Sequence, residues 1–185
     1  PHDVHDPNVQ HFVLEAMNWH ASTRERLPWL QVFYDTLLRP LLPLNRLADL
    51  ACGLNPLALA WMGLASDTIY AACDIYTGML EFLRAFHDHV GQPFTGSICD
   101  LSHPDVSLPE ADVILLLKTL PCLEHLDKGI SERLLSRLQA RHLIVTFPAR
   151  SLGGRSKGMP AHYEQQFLPL ATAQGWQTER HLIGN

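Results

Sequence analysis

No stretch of the sequence approaches the roughly 18–20 apolar residues that a membrane-spanning helix needs. Apolar runs such as Val113–Leu117 stop after five residues and read as buried strands. Positive charge is scarce: 14 Lys and Arg stand against 19 Asp and Glu, a formal net charge of −5 with 11 His uncounted. That balance excludes a generally basic nucleic-acid binder and leaves room only for a local cationic patch. Cysteine is sparse as well. Cys52, Cys73, Cys99 and Cys122 share no C-x-x-C or histidine-linked spacing, so no zinc or other metal site is expected. Each falls in or beside an expected buried strand, so free thiols in a reducing cytoplasm are expected and not a disulfide framework. There is no G-x-G-x-x-G fingerprint, internal repeat or low-complexity tract. The opening PHDVHDPNVQHF is polar and acidic, unlike a signal peptide, and begins without Met.

What is present is ample apolar material, 46% of 185 residues, enough for one domain with an extension. Between residues 8 and 42, Phe12, Val13 and Met17, then Leu27, Leu30, Phe33, Tyr34, Leu37 and Leu38, recur at three- and four-residue steps and predict helices. Ser22 followed by Glu25 has the form of a capping box, and Pro40 and Pro43 close the segment. From Leu44 onward, short apolar runs at 46–51, 68–73, 94–98, 113–117 and 142–147 alternate with helical patterns at 56–62, 77–89, 124–138 and 160–174. This alternation predicts an α/β, doubly wound, mostly parallel sheet with a helical N-terminal extension. The expected division is residues 1–43 for the extension and 44–185 for the sheet domain.

Ligands of open α/β sheets bind outside the carboxyl ends of the strands, near the point where strand order reverses. Here those ends read Asp49-Leu-Ala-Cys-Gly53, Cys73-Asp74-Ile75, Cys99-Asp100-Leu101 and Lys118-Thr-Leu-Pro121. Ala51 and Gly53 are small enough for close backbone approach, and Pro56 suits a first helical turn. A tight turn without a ligand has the same composition. Asp74 follows Gly53 by 21 residues, a spacing suited to ribose hydroxyls, and Asp100 repeats the arrangement one strand later. Each alone also fits a helix-capping Asp. Together they point to an adenosine-type nucleotide site. The histidines read as core or surface residues, with His125 nearest the site, and Trp19, Trp29, Trp61 and Trp176 are expected to pack on apolar faces.

The segments HASTRERLP, ADLACGLNPLAL, YAACDI, LKTLPCLEH and TFPARSLGGRSKGM resemble the 16S rRNA (guanine-1405, N7) methyltransferases of aminoglycoside resistance, over about residues 20–163. The resemblance implies a Rossmann-like class I methyltransferase that uses S-adenosylmethionine and releases S-adenosylhomocysteine, with 16S rRNA in the 30S subunit as partner. It implies that Ala51, Cys52 and Gly53 form the methionine-side loop, that Asp74 holds the ribose, that Asp100 and Leu101 hold the adenine, and that Ile75 belongs to the same cofactor site. Arg24 is similar to the family arginine that meets the cofactor carboxylate. Lys118 and the loop carrying Arg150, Arg155, Lys157 and Met159 would face the guanine and the rRNA backbone. The family has a longer N-terminal domain that grips the subunit and a final strand hairpin. On that pattern the chain is expected to be truncated at both ends, with Trp176–Ile183 as the first hairpin strand. A small-molecule methyltransferase and an inactive cofactor- or RNA-binding relic share these residues as alternatives.

Guanine N7 carries a free lone pair, so methyl transfer to it removes no proton and requires no general base. In the loop around Arg155 and Lys157, glycine-rich and cationic, phosphate contacts are the expected use. The double variant Arg155→Ala/Lys157→Ala should therefore melt within about 0.5 kcal/mol of the parent. Its affinity for small subunits should fall, with a shallower salt dependence. A large drop in melting temperature would mark the loop as structural.

Overall fold

The computed structural model describes residues 2–148 and 159–184, and for 159–163 the backbone alone. Helix α1 (Pro7–Trp19) starts where the Asp6 carboxylate accepts from the Asn8 N–H at 2.7 Å, with Pro7 at the first helical position. A short α2 (Ala21–Arg24), a 3-10 turn at Leu27–Trp29 and α3 (Leu30–Leu37) complete the extension, with a 3-10 turn at Arg39–Leu41 before the sheet. The chain then runs through β1 (Arg46–Leu50), a 3-10 turn at Asn55–Ala58, α4 (Leu59–Met62), β2 (Ile69–Asp74), α5 (Thr77–Val90), β3 (Phe94–Ile98) and β4 (Ala111–Leu117). After it come α6 (Thr119–Glu124), α7 (Ile130–Leu135), β5 (Ala140–Thr146) and α8 (Met159–Ala173). None of the described helices is long and apolar enough to cross a membrane.

The five strands pair in the order β3-β2-β1-β4-β5, all parallel, so the expected α/β doubly wound sheet is the observed one. The order reverses between β1 and β4, where Ala48 pairs with Ile114 and Asp49 with Leu115. Alternate residues of each strand feed opposite faces, as the two-residue period demands. Leu47, Tyr70, Val113 and Leu115 join Val13, Met17, Phe33, Tyr34 and Leu83 in one core. Ala48, Leu50, Ile114 and Leu116 join Leu134 and Leu135 in the other, with Phe167 and Trp176 packed against it. The helical extension and the sheet thus share a core.

Several expectations need correction. Of the span expected as one helix over 124–138, only Ile130–Leu135 is a separate helix: α6 already ends at Glu124, Gly129 turns the chain at φ 90°, and the Glu124 carboxylate accepts from the N–H groups of Gly129 and Ser131. Ser22 is not a cap. His20 occupies that position, Ser22 Oγ bonds to His20 Nδ1, and the Thr23 hydroxyl fastens the elbow by donating to the Met17 carbonyl at 2.6 Å. Residues 176–184 follow α8 without forming a strand, since no second strand lies alongside among the described residues. Trp19 is 88% exposed instead of packed: Val13 and Met17 lie four apart on the buried face of α1, and Trp19 falls on the opposite face. Trp29 is exposed too. The cysteines are not four free buried thiols. Cys73 and Cys99 are joined as a disulfide with Cα atoms 5.7 Å apart, because parallel pairing of β2 and β3 brings their ends together. Cys122 is exposed on α6, and Cys52 alone is a buried free thiol.

Met17 is fully buried between α1 and the sheet. Met17→Ala should destabilise the fold by about 2–5 kcal/mol. Urea unfolding followed by far-UV circular dichroism should remain a single transition. Two separated transitions would show that the extension folds on its own.

Candidate active site

The carboxyl ends of the central strands are laced together by backbone and side-chain hydrogen bonds. Cys52 N donates to Cys73 O (3.1 Å), Gly53 N to Asp74 Oδ2 (2.9 Å) and Cys99 N to Asp74 O (3.0 Å). On the far side of the reversal, Lys118 N donates to Thr146 O (3.1 Å) and Thr119 Oγ1 to Leu50 O (3.3 Å). Two residues other than glycine adopt positive φ among the described residues, Ala51 (54°) and Lys118 (61°). Each directly follows a central strand, one on each side of the crevice. Strain of this kind costs of order 1–3 kcal/mol and persists where surrounding structure enforces it, as at functional sites. Gly53 (φ 52°) lies against His20: a Cβ there would sit 2.7 Å from the imidazole Cε1, so glycine is required for the approach.

Asp74 is buried, with Oδ2 on Gly53 N and Oδ1 accepting from the N–H groups of Ile75 and Tyr76. Ile75 is exposed at the rim, as is Ala51, while Cys52 and Leu101 are buried. Burial, with Asp49 and Asp74 nearby, keeps the Cys52 thiol protonated. Asp100 is exposed. Its carboxylate accepts from the Ser102 hydroxyl (2.6 Å) and N–H (2.9 Å), which hold it below the usual carboxylate range. Lys118 is ion-paired with Glu25 of the extension, and burial lowers its ammonium below the ordinary lysine range. Arg150, Arg155 and Lys157 lie outside the described residues, and Met159 is described only as the first backbone position of α8.

Arg24 is exposed, whereas Arg26, two residues on, is buried against the loop. Arg26 Nη2 donates to Asn55 Oδ1 (2.9 Å), and its Nε and Nη1 are buried without a partner. Tyr34 OH donates to the same Asn55 Oδ1 (2.8 Å). Asn55 Nδ2 and Tyr70 OH both donate to Asp49 Oδ2 (2.8 Å each), leaving Asp49 Oδ1 buried and unpaired. Desolvation pushes the Asp49 carboxyl up to about 7, against the opposing pull of Asn55, Tyr70 and Arg26. Two surface grooves lie elsewhere, one between α1 and α5 lined by Phe12 and Phe82, the other at the amino ends of the strands beside Arg46 and Asp112. Neither gathers strained backbone and converging acids.

A family model described as ribosomal RNA methyltransferase (FmrO) matches residues 4–185. The chain belongs to the FmrO family of ribosomal RNA methyltransferases. Among its relatives, the 16S rRNA (guanine(1405)-N(7))-methyltransferase of Micromonospora rosea is 43% identical over 180 residues, covering 97% of this chain and 65% of the relative. The enzyme of the same name from Micromonospora echinospora is 43% identical with the same coverage. The chain therefore spans a little under two thirds of the length of these relatives. The crystal structure of the 16S rRNA methyltransferase RmtF in complex with S-adenosyl-L-homocysteine is 35% identical, with a TM-score of 0.77, and is matched over 92% of this chain and 64% of that one. Class I methyltransferase architecture is thereby shown for this FmrO-family chain.

Arg26, Tyr34, Asp49, Asn55 and Tyr70 were not legible as a group in the sequence. The one available signal was polar residues on otherwise apolar faces, Asp49 within a buried strand above all. The folded Asp49 carboxyl titrates near 7 and the unfolded one near 3.9. Its contribution is therefore full below about pH 4, falls as pH rises through 7, and levels off above. Asp49→Asn should remove that fall, flattening the decline in unfolding free energy between pH 5 and 7 by on the order of 1 kcal/mol per pH unit. Parallel urea titrations of parent and variant at pH 5, 6, 7 and 8 check it. Identical slopes would show that Asp49 does not titrate there.

Proposed function

We propose that this chain is an S-adenosylmethionine-dependent methyltransferase acting on N7 of guanine-1405 in 16S rRNA, with the 30S subunit in the cytoplasm as partner and aminoglycoside resistance as outcome. One observation carries the cofactor assignment. At the Gly53 loop a guanidinium with two unpartnered donors and a carboxylate with one unpartnered oxygen are both buried. Orphaned groups of opposite sign are costly unless a ligand meets them. The α-carboxylate and α-ammonium of a methionine moiety have the complementary chemistry, so the residues fit this cofactor. Arg26 is accordingly favoured over Arg24 for the carboxylate.

Ala51, Cys52 and Gly53 would hold the methionine side, Asp74 and Ile75 the ribose, and Asp100 and Leu101 the adenine. The bound cofactor supplies an electrophilic sulfonium methyl. The work left to the protein is positioning, since N7 has a lone pair and no proton to lose. Lys118, at a strained strand end, would orient the guanine, and its ion pair with Glu25 neutralises it until RNA arrives. Arg150, Arg155, Lys157 and Met159 follow β5 in the chain, and their loop would meet the rRNA backbone, in keeping with the preference of phosphates for Arg and Lys. The family's membership and the relatives' names support the substrate.

Calorimetric titration with S-adenosylhomocysteine, paired with labelled methyl transfer to small subunits, tests the reading. Arg26→Ala and Asp74→Ala should each weaken product binding roughly ten-fold or more, the loss expected for a hydrogen bond to a charged group. Unchanged affinity in both would refute the assigned site. Methyl transfer to free guanine nucleotides but not to subunits would point to a small-molecule enzyme.

A further inference from the structure

We infer that Asn55 is a positioning residue of the cofactor site: its side-chain amide holds Arg26 and Asp49 in fixed relation, with Tyr34 donating to the same amide oxygen and Tyr70 to the same Asp49 oxygen. The inference rests on the reading that the Gly53 loop holds S-adenosylmethionine. Asn55 is fully buried and begins the 3-10 turn that follows the loop, its own N–H donating to Cys52 O at 3.0 Å. Two donors, Arg26 Nη2 at 2.9 Å and Tyr34 OH at 2.8 Å, converge on Oδ1. Nδ2 faces a carboxylate oxygen at 2.8 Å. Only one orientation of the amide satisfies both sides, since oxygen can only accept and NH2 can only donate.

The consequence is division of labour within one small group. Asn55 consumes one nitrogen of the Arg26 guanidinium and one oxygen of Asp49, and leaves the remaining donors and the remaining oxygen free. Without Asn55 the two charges would be free to pair with each other, and the site would lose both. Aspartate at this position has the same shape and still accepts from Arg26 and Tyr34. Ionised, it donates nothing to Asp49 and adds a like charge. Protonated, it donates an O–H and reproduces the native pattern. Two carboxyls at such separation share one proton over a broad pH range. The charged and titratable groups facing the pair are Arg26 of the extension, Tyr34 of α3, Tyr70 and Asp74 of β2, and Cys52 of the loop. Burial keeps both phenols and the thiol protonated throughout the range used.

The test is calorimetric titration of S-adenosylhomocysteine into the parent, Asn55→Asp and Tyr34→Phe at pH 6, 7 and 8.5, with melting temperatures recorded for each. At pH 8.5 Asn55→Asp should bind roughly ten-fold or more weaker than the parent. That ratio should shrink toward one at pH 6, where the shared proton restores the donor. Tyr34→Phe, which keeps the ring packed against Phe33, should lose a smaller, pH-independent factor. A residue that only stabilised the fold would lower the melting temperature and leave this pH-dependent ratio flat. Parental affinity at pH 8.5 in folded Asn55→Asp, or a deficit that does not change with pH, overturns the inference alone. Should Asn55→Asp fail to fold, parental affinity in Tyr34→Phe overturns it. A folded parent that does not bind the product overturns the cofactor reading and this inference with it.

Discussion

Burying Asp49 constrains more of this structure than any other single choice. The carboxylate lies on a central strand, out of reach of water, where an isolated charge costs several kcal/mol. Its environment must therefore supply donors, and the three elements packed on that face each send one or support one. Tyr70 comes from the neighbouring strand, Asn55 from the turn after the loop, and Arg26 and Tyr34 from the extension through Asn55. The extension is held to the sheet by apolar contacts such as Met17 and Phe33, and it is held in register by this polar chain. Hydrophobic burial alone is non-directional. The hydrogen bonds decide which way the extension faces and so where Arg26 ends up.

The same region stores backbone strain. Ala51 and Lys118 take left-handed conformations directly after the two strands that flank the reversal of sheet order. Both are held by ladders on either side: Cys52 N on Cys73 O, and Lys118 N on Thr146 O. A turn made this way ends the strand abruptly and turns the following residues across the crevice. Lys118 thereby meets Glu25 of the extension, so the helical segment contributes to both walls of the crevice, through Arg26 at the loop and through Glu25 at the lysine. Membership of the FmrO family and the methyltransferase architecture accord with a crevice built in this way.

The alternation of short apolar runs and helical patterns, Val113–Leu117 most clearly, was enough to determine the class of fold, because a parallel sheet covered on both faces requires it. The strand-end positions of Gly53, Asp74, Asp100 and Lys118 followed from the same pattern, since in a parallel sheet every strand delivers its last residue to one edge. Local chemistry beyond that was ambiguous. Ser22 and Glu25 have capping-box spacing, yet Thr23 fastens the elbow. Trp19 looks like a core residue by type, and only the helix phase set by Val13 and Met17 turns it outward.

Relations between distant segments lay beyond the sequence. Cys73 and Cys99 stand 26 residues apart and meet only through the β2–β3 register. Arg24 and Arg26 are equivalent by type and nearly so by position, yet Arg24, at the end of α2, is exposed, and Arg26, just ahead of the turn at Leu27–Trp29, is buried on Asn55. Composition and period report which face a residue takes, a property of a few neighbouring residues. Which buried donor reaches which acceptor depends on how whole elements pack, and that is decided only when the chain is folded.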